Sequence, residues 1–127
     1  MSKIKFFKCE ICGNTVGLIE DAGIPMVCCG EEMTYLTPNT SEGAYEKHLP
    51  AVTVDGDKIS VQVGSVPHPM VKEHYIQWIY LETQKGGQRK SLNPEEKPQV
   101  EFVLIDDKAV AAYEYCNLHG LWKTEIK

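Results

Sequence analysis

The chain has 127 residues, 43% hydrophobic and 24% charged, with a formal net charge of −5, which is the make-up of a folded globular protein of one or two small domains. A single arginine, Arg89, and the lack of any basic stripe argue against nucleic acid as a partner. No apolar run approaches the roughly 20 residues of a membrane-spanning helix.

Residues 1 to 37 carry four of the five cysteines and no histidine, whereas residues 48 to 119 carry all four histidines and the fifth cysteine. This split predicts two domains, 1–37 and 38–127. The opening segment Met1–Lys8 has basic residues but no long apolar core and no small-residue cleavage site, so the expected location is the cytoplasm. Cysteines there stay reduced, and an odd number of them points to metal binding rather than disulfides. The first domain is too short to hold itself by apolar burial, and a metal on four thiols would supply what its core cannot. The polar run Thr37-Pro38-Asn39-Thr40-Ser41-Glu42-Gly43 reads as the linker.

Beyond it the pattern is that of strands. Val52–Val54 and Lys58–Val63 flank an Asp55-Gly56 turn, and Ile59, Val61 and Val63 alternate with polar neighbours as a half-buried strand does. Tyr75–Glu82 reads as a more buried strand that Gly86-Gly87 breaks. Val100–Ile105 and Val110–Tyr115 follow, with Asp106-Asp107 as the turn between them. Short strands at this spacing predict an all-β chain whose larger part is an antiparallel β-sandwich.

Cys9-Glu10-Ile11-Cys12-Gly13 has the form of a metal knuckle: two spacer residues let both thiolates face one ion, and the glycine permits the tight turn. Cys28-Cys29-Gly30 brings two more thiols. Adjacent cysteines tend to diverge, so one ion between them implies a distorted tetrahedron. Zinc and iron both suit four thiolates. The plain alternative is a structural zinc ribbon.

His48 follows Glu46-Lys47, His68 lies in Pro67-His68-Pro69, and His74 lies in Glu73-His74-Tyr75. Cys116 and His119 have a two-residue spacer that lets thiolate and imidazole share an ion. A histidine taken alone is an ordinary surface residue. All four fall at turns or strand ends, where a sandwich can converge them. Four imidazoles and a thiolate exceed the needs of tetrahedral zinc and leave an octahedral ion one open position for substrate.

These motifs occur together and in order. Cys9-x-x-Cys12 and Cys28-Cys29 are followed by Glu46-Lys47-His48, Gly64-Ser65-Val66-Pro67-His68-Pro69-Met70, His74-Tyr75-Ile76-Gln77-Trp78-Ile79, and Glu114-Tyr115-Cys116-Asn117-Leu118-His119-Gly120-Leu121-Trp122-Lys123. In this the chain resembles desulfoferrodoxin, the two-iron superoxide reductase, over essentially its whole length. The resemblance implies a desulforedoxin-like N-terminal domain, an immunoglobulin-like C-terminal sandwich, and a homodimer. It implies one iron on Cys9, Cys12, Cys28 and Cys29. It implies a second iron on His48, His68, His74 and His119, with Cys116 as the axial thiolate. The implied reaction is one-electron reduction of superoxide to hydrogen peroxide, with electrons from a donor such as rubredoxin. Beside His48, the cation Lys47 can draw in the anionic substrate and orient a proton-donating water, and the family suggests that Glu46 fills the sixth position once iron is oxidised. Two rivals stand against this: a non-enzymatic pairing of a zinc ribbon with a metal-carrying sandwich, and a superoxide dismutase.

Overall fold

The computed structural model describes residues 3–41, 43 and 45–127. Met1 and Ser2 of the expected first domain, and Glu42 and Ala44 at the linker, lie outside the described residues. Two compact units result, Lys3–Thr37 and one running from Pro38 to Lys127.

In the first unit β1 (Lys5–Lys8), β2 (Thr15–Leu18) and β5 (Thr34–Tyr35) form a sheet ordered β2-β1-β5, and β3 (Val27–Cys28) pairs with β4 (Glu31–Glu32). Its buried side chains among the described residues are Phe6, Cys9 and Met33. Phe6 packs over Gly17, where an added Cβ would stand 3.4 Å from the ring. At roughly 1.5–3 kcal/mol for each fully buried large apolar side chain, Phe6 and Met33 fall well short of the conformational entropy of ordering more than thirty residues.

The second unit opens with the single-turn helix α1 (Tyr45–His48), followed by β6 (Pro50–Asp55), β7 (Lys58–Val63), β8 (Ile76–Thr83), β9 (Gly86–Ser91), β10 (Gln99–Val103), β11 (Ala109–Cys116) and β12 (Gly120–Glu125). A three-stranded sheet, β10-β7-β6, faces a four-stranded one, β12-β11-β8-β9. Their inner faces meet in one core of Ile59, Val61, Val63, Val100, Phe102, Ile76, Ile79, Leu81 and Ala112, with Leu92 and Leu104 at its margin. The alternation seen in Lys58–Val63 is realised: Ile59, Val61 and Val63 are buried and their neighbours are not. The Asp55-Gly56 turn closes β6 on β7 with Asp55 opposite Lys58 and Gly56 at φ +64°.

The strand expected over Tyr75–Glu82 is β8, which ends at Thr83, and Gly86-Gly87 then starts a strand the sequence reading lacked, β9, which pairs along Tyr80, Leu81 and Glu82 of β8 through Arg89, Gln88 and Gly87. This edge strand, Gly-Gly-Gln-Arg-Lys-Ser, is exposed on both faces, so no apolar alternation marks it; its charges suit an edge that must not pair further. The segment read as the linker is fixed at Asn39. Asn39, at φ +62°, accepts from the Lys123 amide (2.8 Å) and donates its carboxamide to the Lys123 carbonyl (3.1 Å), tying the chain to β12.

Strand polarity sets up the site. The pairings Cys116–Ile76 and Cys116–Gly120 bring together the start of β8, the end of β11 and the start of β12, Pro50–Val63 brings together the start of β6 and the end of β7, and the approach of His48 to His68 and His119 puts both groups at one end of the sandwich.

Candidate metal centres

The nine ligand candidates form two clusters: Cys9, Cys12, Cys28 and Cys29 in one, and His48, His68, His74, Cys116 and His119 in the other, with the donor atoms of each cluster all within 4.8 Å of one another.

The thiol cluster rests on two tight turns. The Gly13 amide donates to the Cys9 carbonyl (2.9 Å) and the Cys9 amide to the Asn14 carbonyl (2.8 Å), with Gly13 at φ +85°. The turn aims amides at sulfur: Cys12 N–H at Cys9 Sγ (3.5 Å) and Asn14 N–H at Cys12 Sγ (3.4 Å). The Cys12 amide is the main reason that the Cys9 pKa is lowered to about 6, against the opposing effect of burial. Cys29 moves the other way, to about 12, because Cys12, Cys9 and Cys28 crowd its sulfur. Four thiols this close cannot ionise together without a cation, which is the donor chemistry of a thiolate metal site. The adjacent cysteines converge through the backbone. Cys29 is in the left-handed region at φ +54°, followed by Gly30 at +77°, and this rotation counters the divergence expected of neighbouring side chains.

The second cluster draws on four segments. His48 ends α1 and is buried; its Nε2 lies 3.0 Å from His119 Nδ1 and 3.2 Å from His68 Nε2. His68 is anchored through Nδ1 to the Pro69 carbonyl (2.6 Å), which leaves Nε2 to face the others. His74 sits in a turn closed by reciprocal hydrogen bonds with Val71 (3.0 and 3.1 Å), and its buried Nε2 has no partner among the described residues. His119 lies in the β11–β12 turn, with Nδ1 3.9 Å from Cys116 Sγ at the end of β11. The electrostatics favour a neutral donor set. Burial pushes the His68 pKa down to about 4, and burial, His119 and Lys47 lower that of His74. Burial raises the Cys116 thiol, only partly offset by the amides of Leu118 and His119. Neutral imidazoles, an orphaned buried nitrogen and a thiol that needs a cation to ionise fit a metal ion.

Lys47 and Glu46 are exposed on α1. The Glu46 carbonyl accepts from the Val66 amide (2.9 Å) and the Ser65 hydroxyl (3.3 Å). A Cβ on Gly64 would lie 2.5 Å from that carbonyl, so the Gly64-Ser65-Val66 loop is the seat of the Glu46–Lys47 turn.

Three supporting residues carry no signal in the spacing. Trp122, fully buried, stacks on His48 (5.0 Å, 24°) and donates to the His119 carbonyl (3.0 Å). Gly43 leaves room for both rings, since a Cβ there would come within 2.9 Å of His48 and 3.4 Å of His119. Glu114, on the inward face of β11 between Ala112 and Cys116, is fully buried with neither carboxylate oxygen bonded among the described residues. Burial pushes its carboxyl well above the ordinary range.

A small four-thiol unit joined to a β-sandwich that gathers four imidazoles and a thiol at one end defines a two-centre metalloprotein of the non-haem iron type. The desulfoferrodoxin family model matches residues 40–125 and the model of the desulfoferrodoxin N-terminal domain matches 2–36, so the chain belongs to the desulfoferrodoxin family. A desulfoferrodoxin from Syntrophotalea carbinolica is 45% identical over 123 residues, 97% of each chain. Among solved structures, the superoxide reductase of Treponema pallidum superposes with a TM-score of 0.82 at 41% identity, over 98% of this chain and all of that one. A superoxide reductase (1Fe-SOR) from Giardia intestinalis matches 65% of this chain and 98% of its own, with a TM-score of 0.57 at 31% identity. The all-β architecture, with a small metal-site domain and an antiparallel sandwich, agrees with these relatives, and the two donor sets can hold two iron ions per chain.

Proposed function

We propose that the chain is a superoxide reductase, turning superoxide into hydrogen peroxide with one electron from an outside donor. The observation that carries this reading is the convergence of four imidazole nitrogens and one thiol, more donors than tetrahedral zinc uses, at an end of the sandwich where two of the rings are only half buried. Residues 38–127 form the catalytic domain in this reading, with iron held by His48, His68 and His74 through Nε2, by His119 through Nδ1, and by Cys116. Residues 1–37 hold the other iron on Cys9, Cys12, Cys28 and Cys29. Bound at the histidine and cysteine site, iron(II) supplies the electron that reduces superoxide.

The rest of the reaction belongs to side chains. Peroxide leaves as a neutral molecule only after taking up two protons. Lys47, close enough to depress the His74 pKa, attracts the superoxide anion and orients the water that delivers a proton. The Gly64–Val66 loop holds that turn through the Glu46 carbonyl, and the Glu46 carboxylate would be a further ligand for the iron once oxidised. Cys116 is fully buried, which keeps bulk water from its sulfur. A set of ligands with an outside electron source suits one-way reduction better than dismutation.

A rubredoxin is the proposed donor, placing the chain in electron transport. The cytoplasm is its proposed location, which suits five free cysteines. A homodimer is proposed as the assembly: Ile11, Ile19, Ile24 and Val27 of the small unit are exposed, and a second copy would cover them. The activity is tested by mixing the reduced, iron-loaded chain with a superoxide flux under argon. Peroxide forming without evolved oxygen, as the reduced form is consumed, is the expected result. Catalytic oxygen evolution would establish the dismutase, and no reaction the metal-carrier rival.

A further inference from the structure

Each imidazole of the second cluster must be held in orientation by something other than an ion. His68 has the Pro69 carbonyl on its Nδ1, and His48 has the Trp122 face. His74 has its buried, unpartnered Nε2 and a turn. What fixes that turn is on another loop. The Asn117 carboxamide reaches across to both sides of His74: Oδ1 accepts from the Tyr75 amide (3.0 Å) and Nδ2 donates to the Glu73 carbonyl (3.0 Å). The Asn117 main-chain amide adds a third bond, to the Tyr75 carbonyl (3.3 Å).

The β-ladder does not reach this place. Pairing between β8 and β11 ends at Ile76 opposite Cys116, with a register shift just before it. One residue further on, main-chain pairing reaches only the Tyr75 carbonyl, and the Tyr75 amide and the Glu73 carbonyl are left to a side chain. A side chain with a donor and an acceptor on one planar group can serve both, and the opposite polarity of the two partners fixes which end of the carboxamide is which. Asn117 also lies between Cys116 and His119 in the same turn, so the bond pair ties the loop of one imidazole to the turn that carries the thiol and another imidazole.

We propose that Asn117 is a positioning residue that aims His74 Nε2 at the metal centre and locks its loop to the Cys116–His119 turn. It touches neither substrate nor metal and acts through His74. The inference rests on the ligand assignment proposed above.

The test uses the full, iron-loaded chain. Metal affinity at each centre is measured by chelator competition, and the sulfur-to-iron absorption of the oxidised protein is recorded. Asn117→Ala is expected to weaken the histidine and cysteine centre by about 10–100-fold, as loss of a ligand-orienting partner does, with a shifted absorption band and an unchanged thiol centre. Asn117→Asp keeps the acceptor and loses the donor, so it is expected to lose less than the alanine variant. Adding Asn117→Ala to His74→Ala is expected to change affinity by less than about twofold further, because the residue it acts through is gone. Wild-type affinity and band in Asn117→Ala, or a full additional loss on top of His74→Ala, would overturn the inference. If the alanine variant fails to fold, Asn117→Asp decides by the same readouts: weakened affinity with a shifted band supports the role, and wild-type values overturn it. A wild-type chain that binds no metal at this centre would overturn the ligand assignment and this inference together, whereas a normal wild type beside an unaffected Asn117→Ala overturns the inference alone.

Discussion

In Lys3–Thr37 the thiols sit among very few buried side chains, and Cys9 is itself one of them; Cys12 and Cys29 are exposed, as are Ile11, Ile19, Ile24 and Val27. In Pro38–Lys127 the imidazoles stand on a finished two-sheet core, with His48 and His68 buried against it. The first unit therefore uses its metal as a core, and the second mounts its metal on one. The difference teaches where chemistry can be done. A cluster that holds the fold together has its donors committed on every side, whereas a cluster carried on a stable scaffold can leave a coordination position for substrate.

The sharpest way to break this contrast is to remove metal. Chelation at neutral pH is expected to unfold the first unit, because a structural metal in so small a domain contributes on the order of 10 kcal/mol. The sandwich should persist. Amide exchange followed strand by strand checks this: β1, β2 and β5 lose protection while β7, β8 and β11 keep it. Equal loss in both units would erase the distinction.

Cys116→Ser addresses the second centre alone. The sulfur-to-iron absorption should vanish and superoxide reduction should slow by about tenfold or more, a barrier increase of about 1.4 kcal/mol or more. The four remaining imidazoles should still hold metal. Stopped-flow rates beside the spectrum of the oxidised form read both effects. A cysteine that only packs as a small hydrophobe would leave band and rate in place.

A smaller change is expected from Lys47→Ile, which removes a steering charge but no proposed ligand. The second-order rate with superoxide should fall by about tenfold and depend less on ionic strength, with both metals retained. An unaltered rate would make Lys47 an ordinary solvated cation.

Glu114→Leu should sharpen the scaffold half of the comparison. It replaces a carboxyl buried without a partner among the described residues, so the metal-free sandwich is expected to gain about 1–3 kcal/mol in thermal unfolding. Loss of stability would mean that the carboxyl has a role the fold needs.

Much of this was legible from the residues. Cys9, Cys12 and Gly13 carry their turn in their spacing, and the alternation of Lys58–Val63 marks the strand that fills the core. The histidine and cysteine positions could be read because loops at one end of a sandwich converge. What could not be read depends on backbone angles and on long-range register. Cys29 at φ +54° brings the adjacent thiols together, which no residue type announces. Strand β9 has no apolar face because it is an exposed edge. The supports Trp122, Asn117 and Gly43 act across 42 or more positions of chain or by leaving space empty, and only the folded register shows what they touch. Glu114 breaks the apolar pattern of β11 inside the core, a conflict of the kind that gathers near functional sites.

The central claim is one-way reduction of superoxide at the histidine and cysteine centre, and electron accounting tests it most directly. Reduced rubredoxin, catalytic amounts of the iron-loaded chain and a calibrated superoxide flux are combined, and rubredoxin oxidation, peroxide and oxygen are followed together. The account predicts one rubredoxin oxidised and one peroxide formed for each superoxide consumed, with no oxygen released. Superoxide disappearing with oxygen evolved, with half as much peroxide and with rubredoxin left reduced, would contradict it.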